Sequence, residues 1–200
     1  MLFMEMYTLH RAWTGLTDEE FFWEPVPGCW SVRPRSESRT PTPFGHGDWV
    51  ADHDADLAER AIRGEATEPM TTVAWLMWHV ASVPGRMVEL DFFGGAQPAE
   101  SGWTSPYLAD HRVFASADEA VQTLRSGWRA LDQALKASTD EQLERPTRFW
   151  GYAGNPGPPA PAYQVVALLL NEISHHGTQV CMLRDLYRVL DGGSPPQTVM

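Results

Sequence analysis

The segment from about Ala162 to Leu190 constrains this chain most, because it pairs long helix-forming sequence with a carboxylate on its apolar face. Advancing from Glu172 at about 100° per residue, Val165, Leu168, Leu169, His176, Gln179, Leu183 and Leu186 fall within about 60° of its direction. So apolar a stripe has to face a core, which sets Glu172, His176 and Gln179 in its middle. A carboxylate there is costly unless it is paired or coordinated. Spacing of four puts Glu172 and His176 one turn apart on one face, close enough to chelate a single ion.

A second segment carries a matching residue. In TTVAWLMWHVASV, His79 shares a face with Thr72, Trp75, Leu76 and Val83, again an apolar stripe. One inward histidine is ordinarily a hydrogen-bonded core residue, and one Glu/His pair is ordinarily a polar layer. Three inward side chains from two helices, with no lysine or arginine in those segments before Arg86 and Arg184, point instead to a metal site. Two imidazoles and a carboxylate suit Zn²⁺, Ni²⁺, Fe²⁺ or Mn²⁺ alike. Three protein ligands leave positions open, as catalytic sites do. His175, at i+3 from Glu172, is the main rival ligand, but it lies at the edge of the stripe and is expected behind the ligands. Gln179 either orients a ligand or a metal-bound water, or is a core-edge amide.

The remaining helical signals are separated by Gly- and Pro-rich stretches that cannot continue a helix. A first helix is expected over about residues 3 to 14, ending near Gly15, with Thr17 capping a short turn in LTDEEFFWEP. Residues 25 to 68 read as one long ordered loop with a helical turn around Ala55 to Ile62. The second long helix starts at Thr71 or Thr72 and runs through VAWLMWHVASVPGRMVELDFF, with Pro84 inside it to kink it or mark a local defect. The third starts after the Ser116 cap and reaches about Ala137. STDEQLERP echoes LTDEEFFWEP, a hint of a duplicated helix pair. The fourth covers Ala162 to Leu190, stopped by Asp191, Gly192 and Gly193. No stretch sustains period-two alternation, so no sheet is expected. The fold class is therefore all-α: an up-down-down-up four-helix bundle with a long loop between helices 1 and 2, in one domain spanning residues 1 to 200.

Bulk properties narrow the partners. The 200 residues are 43% hydrophobic, enough for one core, and the net charge is -11 without a Lys/Arg cluster. Phosphate backbones and anionic membranes both demand a basic footprint, so neither nucleic acid nor membrane is an expected partner. No apolar run is long enough to span a bilayer, and MLFMEMYTLHRAW has no basic leader or cleavage site, so a cytoplasmic location is expected. Cys29 and Cys181 are expected to stay reduced, with Cys29 a buried or loop thiol. Lys136 is the sole lysine beside many arginines. That usage is typical of high-GC organisms such as actinobacteria.

NEISHHGTQ at the start of an apolar helical run, preceded by AWLMWHV, resembles the DinB-like superfamily of metal-binding four-helix bundles. WEPVPGCWSVRP resembles a tryptophan-containing stretch after the first helix of many members, so the resemblance covers most of the chain. It implies a metal triad of one histidine from the second helix and two at i,i+4 in the last. His79 matches the first and His176 the histidine of the HH-x-x-Q element, while Glu172 stands where the other histidine is usual. A glutamate there resembles the mycothiol-dependent maleylpyruvate isomerase branch, whose triad is His, Glu, His.

The resemblance implies a thiol S-transferase or isomerase acting on a small electrophile, with mycothiol as cosubstrate if the host is an actinobacterium. The ion would bind the thiol sulfur and lower its pKa. The alternatives are a metal-dependent hydrolase and a non-enzymatic, stress-associated metal-binding protein. Trp30, Trp49, Trp75 and Trp78 are candidate substrate contacts, each more ordinarily a core or lid aromatic. Arg33 and Arg86 are candidate carboxylate anchors, each more ordinarily solvated. A homodimer is compatible with the family pattern.

Overall fold

The computed structural model describes residues 10–94, 112–147 and 160–190. In chain order these form α1 (His10–Trp13), α2 (Asp18–Phe22), β1 (Val32–Pro34), a 3-10 turn (Arg35–Glu37), β2 (Trp49–Ala51) and α3 (Ala55–Ile62). There follow α4 (Val73–Val80), α5 (Val83–Glu89), α6 (Ala117–Ala137), α7 (Asp140–Glu144), β3 (Pro146–Thr147), β4 (Ala160–Pro161) and α8 (Ala162–Leu190). The described chain is mostly helical, and none of its helices is long and apolar enough to cross a membrane.

Local chemistry sets the helix ends. Gly15 takes the left-handed conformation, φ 64°, that stops α1; the part of that helix expected over residues 3 to 9 lies outside the described residues. Thr17 Oγ1 accepts the Glu20 N–H while Glu20 Oε2 accepts the Thr17 N–H, each at 3.3 Å. Thr139 and Gln142 repeat this reciprocal capping at α7, so the echo between the two segments is a shared helix-start device. Thr72 Oγ1 accepts the Trp75 N–H at 3.2 Å and Ser116 Oγ the Glu119 N–H at 3.3 Å, opening α4 and α6. The stop expected at residues 191 to 193 lies outside the described residues.

Three expectations need correction. The expectation of no sheet fails: β1 and β2 pair antiparallel with Val32 opposite Ala51, and β3 and β4 pair with Thr147 opposite Ala160. Strands of two or three residues are too short to leave an alternating pattern. Residues 25 to 68 are accordingly not one loop, being tied by the β1/β2 ladder and by single bridges Trp30–Thr71 and Phe44–Ala51, while α3 forms over Ala55–Ile62, where a helical turn is expected. The second long helix is not continuous but two helices: the local defect expected at Pro84 is a break at Ala81 and Ser82, with Pro84 in the first turn of α5, where its missing N–H is not needed.

The chain divides into two compact units. The described parts of Met1–Trp78, Val113–Val121 and Ser174–Met200 form the first. Its core includes Phe21, Trp30, Val32, Val50, Trp75 and Trp78, and it also buries Arg184 against Glu20. The described parts of His79–Arg112 and Gln122–Ile173 form the second, with Phe92, Leu124, Leu131 and Leu169 inside. There Gly85 of α5 meets Gly127 of α6 so closely that a Cβ on Gly127 would lie 2.8 Å from the Gly85 nitrogen. Arg145 donates to the Phe92 and Phe93 carbonyls at 2.5 and 3.0 Å, closing the turn after α5.

Candidate metal centre

The last helix, α8, buries Ala162, Val165, Val166, Leu169, Ile173, Val180, Leu183 and Arg184. This stripe is centred near Ile173, roughly 70° around the helix from Glu172 at ~100° per residue. The expectation that Glu172, His176 and Gln179 sit mid-stripe is thereby corrected: all three are half-buried along its border, with Leu168, while Leu186 is exposed. The buried stripe takes in Ala162, Val166, Ile173 and Val180, about 80–120° around the helix from Glu172, which a stripe centred on Glu172 leaves out. Arg184 joins them on the core side, its charge neutralised by Glu20.

On α4 the single apolar stripe is also replaced by something simpler. Val73 to Trp78 and Val80 are all buried, and His79 is the one residue of that helix left partly exposed. Its Nε2 lies 3.7 Å from Glu172 Oε2, with side-chain exposures of 19% and 24%. One ligand atom from each of His79, Glu172 and His176 lies within 4.8 Å of the other two. Metal–ligand bonds of about 2.0–2.2 Å put ligand atoms about 3.0–3.5 Å apart around one ion. The His79–Glu172 pair is already near that spacing. Half-buried side chains have the rotamer freedom to close the rest, so the donor set fits a divalent ion.

The neighbours of the group differ in kind. Gln179 Oε1 is 2.7 Å from His176 Nδ1. His175 is exposed and meets His176 ring edge to face, at 4.9 Å between centroids; it stands outside the cluster of three.

The tryptophans proposed from sequence as substrate contacts divide. Trp30, Trp75 and Trp78 are buried around His53, with ring centroids 4.8, 5.7 and 5.9 Å from it, and Phe44 closes the box at 5.3 Å. Trp75 Nε1 donates to the Asp52 carbonyl at 2.9 Å, which pins the box to the residue directly after β2. These three are core residues of the first unit. Trp49 is half-buried and stacks on Phe22 at 5.2 Å.

Arg33 is not the solvated residue or free anchor expected of it. It is buried, Nε donating to Asp52 Oδ2 and Nη1 to Glu24 Oε1 at 3.0 Å, so its charge is committed inside the protein. Burial pushes the Glu24 carboxyl up, but hydrogen bonds from Arg39 and Arg33 outweigh it and hold the carboxyl below the usual glutamate range. Arg86 is half-buried and pairs with Glu89 at 3.2 Å. Cys29 and Cys181 are both free thiols. Cys29 is buried, its Sγ donates to the Val26 carbonyl at 3.1 Å, and burial pushes its pKa up.

Sequence reading passed over His53, Asp52 and the Glu20–Arg184 pair. The available signal for the first two was their place directly after the apolar Trp49–Ala51 strand, where a short loop is held against the core. Glu20 and Arg184 are separated by 164 residues, and no local pattern links them.

What the fold and site define is a mostly helical protein presenting, from two helices, a His/Glu/His group with the donor set for one metal ion. A family model described as the DinB superfamily matches residues 5–180, and the chain belongs to that superfamily. No curated protein and no solved structure matches it.

Proposed function

We propose that this DinB-superfamily protein holds one divalent metal ion with His79, Glu172 and His176 and joins a low-molecular-weight thiol to a small electrophile, as an S-transferase or isomerase. The observation that carries the reading is the convergence of three metal-competent atoms within 4.8 Å, from side chains that are half-buried rather than enclosed. A bound divalent ion would supply Lewis acidity, lowering the pKa of a thiol so that the thiolate is present at neutral pH. Two neutral imidazoles and one carboxylate contribute a single negative charge. They therefore leave a divalent site with net positive charge, which favours an anionic further ligand such as a thiolate. Three protein donors also leave coordination positions open, and the partial exposure of His79 and Glu172 gives a ligand an approach. The up-down-down-up bundle expected from sequence is the frame this reading assumes.

The glutamate at 172 supports the thiol branch of the reading through its resemblance to the mycothiol-dependent isomerases, and mycothiol is the first thiol to try. Elemental analysis after mild purification should find about one equivalent of metal in the wild type and loss of it in Glu172→Ala and in His79→Ala, with His175→Ala unchanged. Unchanged occupancy in the first two variants overturns the triad. Metal-loaded protein should then conjugate monobromobimane or chlorodinitrobenzene when offered mycothiol, bacillithiol, glutathione or cysteine. Metal retention without conjugation of any thiol overturns the transferase and leaves a metal-binding protein.

A further inference from the structure

Resting on the metal reading above, we infer that Gln179 is a positioning residue that locks His176 in the Nδ1–H tautomer, so that Nε2 carries the lone pair a metal needs. A neutral imidazole has one N–H and one lone pair, and the two nitrogens compete for each role. An amide oxygen can only accept. The 2.7 Å separation between His176 Nδ1 and Gln179 Oε1 is therefore a hydrogen bond only if the proton sits on Nδ1. In water, imidazole side chains favour the opposite tautomer, with the proton on Nε2, so this contact reverses the default.

The arrangement along α8 makes the contact directional. Glu172 is one turn before His176 and Gln179 nearly one turn after it, so the ring is tied by Nδ1 on the C-terminal side of its own turn. His79 presents Nε2 to the same carboxylate, at 3.7 Å from Glu172 Oε2. With His176 locked, both histidines would offer Nε2. Gln179 is half-buried and flanked by buried Val180 and Leu183, which restrict where its amide can go. Hydrogen bonding of a ligand histidine's outer nitrogen is the general means by which proteins orient such ligands and raise their basicity.

Long-range ¹H–¹⁵N correlation spectra of metal-free, ¹⁵N-labelled protein, recorded where His176 is neutral, report the tautomer directly. Wild type should show protonated Nδ1. Gln179→Leu should move His176 towards protonated Nε2 and weaken Zn²⁺ binding, measured against a chromophoric chelator, by about 10–100-fold. Gln179→Glu, which still accepts from Nδ1–H, should keep the wild-type tautomer and affinity. Thermal unfolding of the metal-free variants establishes that both fold. Protonated Nε2 in the wild type, or a tautomer and affinity unchanged in Gln179→Leu, overturns the assignment. If wild type takes up no Zn²⁺, the metal reading falls by itself, while the tautomer spectra still decide the role of Gln179.

Discussion

Arg184 offers the sharpest test of how the first unit is held together. Its guanidinium is 2% exposed and makes five hydrogen bonds. Nε and Nη2 reach the Glu20 carboxylate at 3.1 and 2.8 Å. The other three go to the carbonyls of Arg11, Thr14 and Gly15, where α1 ends. In Arg184→Met the volume is largely kept, but Glu20, itself 6% exposed, loses its closest cation. Breaking a buried pair in this way costs about 3–5 kcal/mol. Arg188 lies 3.2 Å from Glu20 Oε1 and still faces it, which places the expected loss at the lower end, about 3 kcal/mol. For a chain of this size that is a fall of about 6–12 °C in Tm. Urea unfolding should show a lower midpoint with unchanged slope. The double variant Arg184→Met with Glu20→Leu removes both charges and should lose clearly less than the two single losses added together, because neither charge is left buried alone. Single losses below about 1 kcal/mol, or strict additivity in the double variant, would refute the argument that the pair is energetically coupled.

Two further perturbations follow from the same structure. Gly127→Ala gains helix propensity of about 1 kcal/mol, yet its Cβ would press on Gly85 backbone atoms that cannot swing aside. A net loss of about 1–2 kcal/mol in denaturant unfolding is expected, overpacking outweighing propensity, against no change beyond about 0.5 kcal/mol for Gly47→Ala, where a Cβ meets nothing. A stabilised Gly127→Ala would show that the two helices separate freely there. The Glu24 carboxyl titrates below its unfolded value, so its contribution is complete above about pH 4.3 and is lost as pH falls through the folded value. Wild type should therefore lose stability more steeply than Glu24→Gln on acidification below about pH 4.3; parallel acid-unfolding curves would contradict the charge network around Arg33.

Much of the helical framework was legible because helix ends are chosen by neighbours three or four residues away. Thr17, Thr72 and Ser116 each cap the helix expected of them, and α3, α6 and α8 fall on the expected spans. The ladders were not legible: Val32–Pro34 and Trp49–Ala51 are each only three residues long, and their pairing depends on the chain between them returning. The burial of Arg33 was equally hidden, since its partners Asp52 and Glu24 come from either side of it in sequence and only folding brings them together.

The candidate site shows the same division within three residues. Sequence alone determined that Glu172 and His176 share one face of one helix, because a spacing of four is one turn wherever that helix lies. It also determined that Gln179 is within reach of His176, for the same reason. Tertiary structure decided that His79 comes to 3.7 Å from Glu172. It also decided that the carboxylate stands half-exposed at the border of the buried stripe, because Val166, Ile173 and Val180, joined by the neutralised Arg184, are the residues buried beside it. Helical periodicity relates residues along an axis; which side of the axis meets water depends on charges and volumes contributed by the rest of the chain.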